Sequence, residues 1–197
     1  MEDKKRFVIE KALDQFLKNG SKVITMDDIA NDFGLSKKTL YTMFENKEAL
    51  LMETIDLLWN NFLNEVDIIL NSNENPIQKL ILIYKKGIDN ITKIEPVFLL
   101  SLKKYHKKVM TKYVSYKKIL INDVVLKLLI EAKEKQYIES DVNLIFFCEV
   151  NLVDFDERIW KNNFLETYSK EEILDYFISR KIRGILSKEY LYLIDVI

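Results

Sequence analysis

"DFGLSKKTLYTMFENKEAL", residues 32–50, decides the fold. Gly34 ends a short helix and makes a sharp turn. Ser36 follows as an N-cap, its hydroxyl placed to accept from free backbone donors. Leu40, Tyr41 and Phe44 then recur at helical spacing, "ENK" interrupts them, and Lys47 opens another helix. Upstream, Thr25 and Asp28 have the Thr-x-x-acid spacing of a capping box, with Ile29, Ala30 and Phe33 as the inward face of a second short helix. A first helix over 4–19 carries Phe7, Ile9, Ala12, Leu13, Phe16 and Leu17, and Gly20 ends it. Two short helices about a tight glycine turn, the second one capped, are the elements of a helix-turn-helix.

The rest of the chain is helical too. Only four glycines and two prolines occur in 197 residues, and no alternating run bounded by turn signals argues for a sheet. The helix from Lys47 buries Leu50, Leu51, Ile55, Leu58, Trp59, Phe62, Val66, Ile69 and Leu70. "NSNENP", 71–76, is a loop, and Pro76 opens the next helix at a position where its missing N–H has no partner to lose. Further helices are expected over 96–105, 109–135, 141–159 and 170–188, the last capped by Ser169 with Glu172. The fold class is all-α: a three-helix helix-turn-helix head followed by a larger C-terminal helical domain.

In a helix-turn-helix the second helix enters the major groove of DNA and its leading residues meet base edges. Here these are Ser36, Lys37, Lys38 and Thr39. Lysine donates to guanine acceptors or phosphates, the hydroxyls donate or accept, and a threonine methyl packs on a thymine methyl. Tyr41 can reach a phosphate with its hydroxyl, and Lys47 sits beside a helix N-terminus.

Ile9, Ala12, Phe16, Gly20, Thr25, Ile29-Ala30, Gly34-Leu35-Ser36, Thr39-Leu40-Tyr41, Phe44, Lys47 and Leu50 resemble the N-terminal domain of TetR-family transcriptional regulators. The resemblance spans about residues 5–55 without a gap. It implies a DNA-binding head over 1–50, with the helix from 47 linking on, and a helical ligand-binding and dimerisation domain over 51–197. It implies a homodimer joined by its last two long helices, a double-stranded DNA operator and a possible small-molecule effector. Thr25, Tyr41 and Lys47 would hold phosphates, while positions 36–39 and Thr42 face bases. Phe98, Tyr113, Tyr116 and Phe147 would line a ligand cavity. Two positions depart from the pattern: Lys37 stands where a glycine or small residue is common, and Thr42 where an aromatic is common. Both change the surface that reads DNA.

Composition sets limits. Hydrophobic residues make up 48% of the chain and charged residues 31%, with a net charge of −1, so DNA binding rests on local clustering. The densest cluster is "KKYHKKVMTKYVSYKK", 103–118, with seven lysines and no acid. It would pull on phosphates without regard to sequence, or serve as a solvated face. His106 is the only histidine and Cys148 the only cysteine, which excludes an internal disulfide and a cysteine metal site. Cys148 reads as a small buried residue and His106 as a surface one whose charged form is disfavoured. No signal peptide and no membrane span are expected, so the protein reads as cytoplasmic, with no cofactor. No HExxH, phosphate loop or serine elbow is present, which argues against an enzyme. The alternative is a helical protein-interaction module that no longer binds DNA.

Overall fold

The computed structural model describes residues 2–194. The elements are α1 (Glu2–Asn19), α2 (Met26–Asp32), α3 (Lys37–Met43), α4 (Lys47–Leu70), α5 (Pro76–Ile91), α6 (Pro96–Tyr105) and α7 (Lys107–Ile119). A π segment, Leu120–Val125, runs into α8 (Leu126–Glu134). Then come α9 (Leu144–Asn151), α10 (Phe155–Lys161), α11 (Phe164–Thr167) and α12 (Lys170–Leu174). A second π segment, Asp175–Ser179, leads to α13 (Arg180–Arg183) and a final 3-10 turn, Lys188–Ile194. Among the described residues the one extended pairing is an isolated antiparallel bridge between Ile138 and Leu186. The chain is all-α. It forms two compact units: one runs to Leu63 and includes Lys93–Tyr116, the other takes Asn64–Thr92 and the chain from Lys117 on.

In the first unit α1 buries Val8, Ala12, Leu13, Phe16 and Leu17. The stripe starts one residue later than the sequence suggests. Val8 is fully buried, whereas Phe7 is exposed and meets the edge of Phe33 at 6.1 Å between ring centroids. The end of α1 is sewn to α6. Gly20 has φ +76° and donates to the Phe16 carbonyl at 2.9 Å. Ser21 N donates to Ser101 Oγ at 2.8 Å, and the two buried hydroxyls are 2.7 Å apart. Glu95 N reaches the Leu17 carbonyl at 3.0 Å. These bonds satisfy polar groups that would otherwise be buried without partners.

The second unit centres on α5. Asn75 caps it through a capping box with Gln78, Pro76 fills its first turn, and Ile77, Leu80, Ile81, Tyr84 and Ile88 are buried at helical spacing. They pack with α8 and α12, which bury Leu128, Leu129, Ala132 and Ile173. The helix expected over 141–159 is broken between Asn151 and Phe155. Arg158 donates through Nη2 to the Asn151 carbonyl at 2.6 Å, and Asp156 is buried with an ion pair to Lys117 at 2.8 Å. Those side-chain bonds hold the interruption. The helix expected over 170–188 ends at Arg183, where the chain turns to pair with Ile138. The Ser169–Glu172 capping box forms as expected. Cys148 is a buried free thiol, and burial pushes it up to about 11.

The two left-handed glycines of the head differ in a testable way. A Cβ on Gly20 would lie 3.1 Å from both Val97 Cγ2 and the Val97 carbonyl oxygen, whereas one on Gly34 (φ +63°) would meet nothing within 4 Å. Gly34→Ala should cost about 1–2 kcal/mol, the conformational penalty alone. Gly20→Ala should cost clearly more, and Val97→Ala should rescue it only in part because the carbonyl stays. Urea unfolding of the three variants and the double variant checks this.

Candidate nucleic-acid interface

The capping box at Thr25 is complete. Thr25 Oγ1 accepts from Asp28 N at 3.1 Å and donates to Asp28 Oδ2 at 2.7 Å, and Thr25 N donates to the same carboxylate at 2.8 Å. These bonds hold the Asp28 carboxyl below its usual range, with Lys47 adding to the effect. After α2, Leu35 N closes on the Ala30 carbonyl at 2.8 Å around Gly34, and Ser36 Oγ accepts from Thr39 N at 3.0 Å to start α3. Leu40 and Phe44 are buried, which fixes the rotation of α3. Thr25, Ser36, Lys37, Lys38, Tyr41 and Thr42 are exposed, and Thr39 and Lys47 are half-buried.

Several of these side chains already have partners. The Ser36 and Thr39 hydroxyls are 2.8 Å apart, and Thr42 Oγ1 donates to the Thr39 carbonyl at 2.7 Å. Lys37 Nζ donates to Asp27 Oδ2 at 2.6 Å, and that bond raises its pKa. Asp27 was not among the residues singled out from the sequence. It lies ten positions from Lys37, on another helix, so no helical period links them; their shared signal is that each sits in the first turn of its helix.

Lys47 opens α4 beside Asn46, whose Oδ1 accepts from Ala49 N at 2.9 Å. Partial burial lowers its pKa, opposed by Asp28. The corner between α6 and α7 lies next to it. There His106 has its pKa lowered first by burial and then by Lys47, while Glu48 opposes. The sequence suggests the neighbouring lysines as the cause; the larger effect is burial, and the charge that counts is Lys47, distant in sequence. Lys103, Lys104, Lys107 and Lys108 are exposed on this corner. Lys22 and Lys104 both lie over the Tyr105 ring, at 5.2 and 5.4 Å from its centroid, and bring its hydroxyl below the ordinary value. Lys108 approaches Glu48 at 3.8 Å.

Of the four residues considered for a ligand, three belong to the first unit. Phe98 is fully buried on α6. Tyr116 stacks on Trp59 at 5.6 Å and Tyr113 meets the same ring edge-on at 5.4 Å. Tyr116 also donates to Asp56 at 2.7 Å, and burial with that carboxylate pushes its hydroxyl up to about 12. Phe147 is buried in the second unit. Among the described residues no three His, Cys, Asp or Glu side chains gather as a metal site, and no helix is long and apolar enough to cross a membrane.

Comparison with known proteins bears on this geometry. Residues 8–54, which include both short helices and the start of α4, match the bacterial regulatory proteins of the tetR family. The match takes in about a quarter of the chain, the part that holds α2, α3 and most of α1. Over 65 residues the chain is 35% identical to an uncharacterized HTH-type transcriptional regulator of Bacillus subtilis (strain 168), YhgD; the stretch covers 33% of this chain and only 34% of that protein. Solved structures extend the likeness in fold. The fatty acid degradation regulator FadR from Bacillus halodurans has a TM-score of 0.75 at 20% identity, covering 92% of this chain and 95% of that one. The regulator FadR from Bacillus subtilis, in complex with stearoyl-CoA, has a TM-score of 0.73 at 17% identity, covering 90% and 97%. The likeness in fold thus takes in the second unit as well as the head.

His106 generates a pH prediction. Its folded pKa lies below the ordinary 6.5, so its contribution to stability is present above that value and is lost as pH falls through the folded pKa. His106→Asn should therefore lose less stability than the wild type between pH 7 and pH 5, read from urea midpoints across that range.

Proposed function

We propose that this protein is a TetR-family transcriptional regulator, a ligand-responsive homodimeric repressor that binds a double-stranded DNA operator through α3. The observation that carries the reading is the outward face of the head. Burial of Leu40 and Phe44 turns Lys37, Lys38, Tyr41 and Thr42 to solvent together, with Ser36 at the helix start. In this reading residues 1–50 are the DNA-binding head and 51–197 carry effector binding and dimerisation. Ser36, Lys37, Lys38, Thr39 and Thr42 face bases, and Thr25, Tyr41 and Lys47 face phosphates. The lysines of the α6–α7 corner add a pull that does not depend on sequence. The protein acts in the cytoplasm, where the DNA is.

A pair of heads needs half-sites about 34 Å apart, one turn of the duplex, or a multiple of that spacing. Support for the pair comes from α9, which leaves Ile145, Phe146 and Val150 at 62%, 63% and 55% exposure, and from Tyr176 at 61%. Such side chains are what a subunit interface would cover. The effector is proposed to bind within the first unit, at Phe98, Tyr113 and Tyr116. Long-chain acyl-CoA is the first class to try, because a structural relative was solved with stearoyl-CoA. It would release DNA only by binding better to a form whose heads do not fit the operator.

Mobility shift against duplexes from around the protein's own gene tests the reading. Sequence-preferring binding at moderate salt is expected, and its absence favours an interaction module that has lost DNA binding. Lys37→Ala should relax sequence preference. Lys47→Ala should weaken binding to all sequences and lower the salt slope by about one. Phe146→Glu should shift the protein to a monomer in sedimentation velocity and weaken binding to the full operator more than to a half-site.

A further inference from the structure

Asp27 places a carboxylate on the face that is read as meeting DNA. Both members of its pair with Lys37 are more than half exposed, at 63% for the lysine and 52% for the aspartate side chain. An ion pair so exposed adds little to folding. Near phosphates the carboxylate is unfavourable, since it repels them and occupies a lysine that would otherwise attract them. Lys38, beside it and exposed, has no carboxylate partner among the described residues. The place of Asp27 in the first turn of α2 offsets part of its cost, and a donor on a base edge would offset more.

We infer that Asp27 and Lys37 act as a single base-reading unit that recognises one G·C pair in each half-site. The inference rests on the DNA-binding reading above and extends it to a residue on α2. In the major groove guanine shows two acceptors, N7 and O6, and cytosine shows the N4 donor. O6 and N4 pair with each other, so they stand one hydrogen-bond length apart, about 2.9 Å. The ammonium and carboxylate are held 2.6 Å apart, the same scale. Lysine can therefore sit on N7 and O6 while aspartate accepts from N4, and neither has to leave the other. An A·T pair also sets a donor, adenine N6, beside an acceptor, thymine O4, but the lysine then has one acceptor in place of guanine's adjacent N7 and O6, so G·C is favoured by one hydrogen bond. The carboxylate also keeps Lys37 off the phosphate backbone, so the lysine reads bases and does not serve as a general anchor.

Selection from a random duplex library with the full-length protein tests this, using the wild type, Asp27→Ala, Lys37→Ala and the double variant. The wild type is expected to require G·C at one position of each half-site. Each single variant should relax that same position, lowering the G·C preference by about tenfold. The double variant should be no more relaxed than either single one, since the pair works as a unit. Asp27→Ala should also bind random duplex more tightly. Asp27→Ser and Lys37→Met repeat the test should an alanine variant fold poorly. The inference is overturned if the two variants relax different positions, or if the shared position is A·T. It is overturned as well if Asp27→Ala tightens binding to every sequence and leaves the motif unchanged. A wild type that selects no motif overturns the DNA-binding reading itself, which a flat wild-type selection separates from the other failures.

Discussion

The presentation of α3 depends on a few backbone atoms. Gly34 takes a left-handed conformation with nothing near its missing side chain, so conformation alone selects glycine there. Leu35 then bonds back to Ala30, and the Ser36 hydroxyl receives Thr39 N. Once the turn is closed, burial of Leu40 and Phe44 leaves one rotation for the helix. Every exposed side chain on α3 inherits its direction from this turn.

Charge in the head is arranged locally, in keeping with a chain whose net charge is −1. Acids neighbour several of the lysines that matter: Asp27 binds Lys37, Asp28 lies near Lys47, and Glu48 approaches Lys108. Elsewhere on the α6–α7 corner, where Lys108 lies, the partner is an aromatic. There Lys22 and Lys104 share the face of Tyr105, an aromatic that holds two like charges near each other through its ring electrons. The result is a surface with both restrained and unrestrained cations. In the proposed DNA-binding reading, that combination gives grip and discrimination separate carriers.

Local signals were legible in the sequence. The capping boxes at Thr25 and Ser169, the cap at Ser36, the glycine turn, Pro76 at a helix start and the all-α class all follow from neighbours within one turn. Contacts over longer distances were not. The register of α1 shifts from Phe7 to Val8: Val8 is buried, and the exposed Phe7 ring meets Phe33, 26 positions on. The break after Asn151 depends on Arg158 and on the Lys117–Asp156 pair, and the pair joins residues 39 positions apart. Asp27 escaped notice for the same reason: its partner lies on another helix. Gly20 was legible as a helix cap, but its tight fit against Val97 was not.

That fit has a consequence for how the chain is made. Ser21 and Ser101 are 80 positions apart, and their hydroxyls complete the corner that follows α1. A ribosome must therefore release the chain through α6 before this corner can shut. Until then Ser21 has water in place of its partner, and the first helices wait on a wall that has not yet been synthesised.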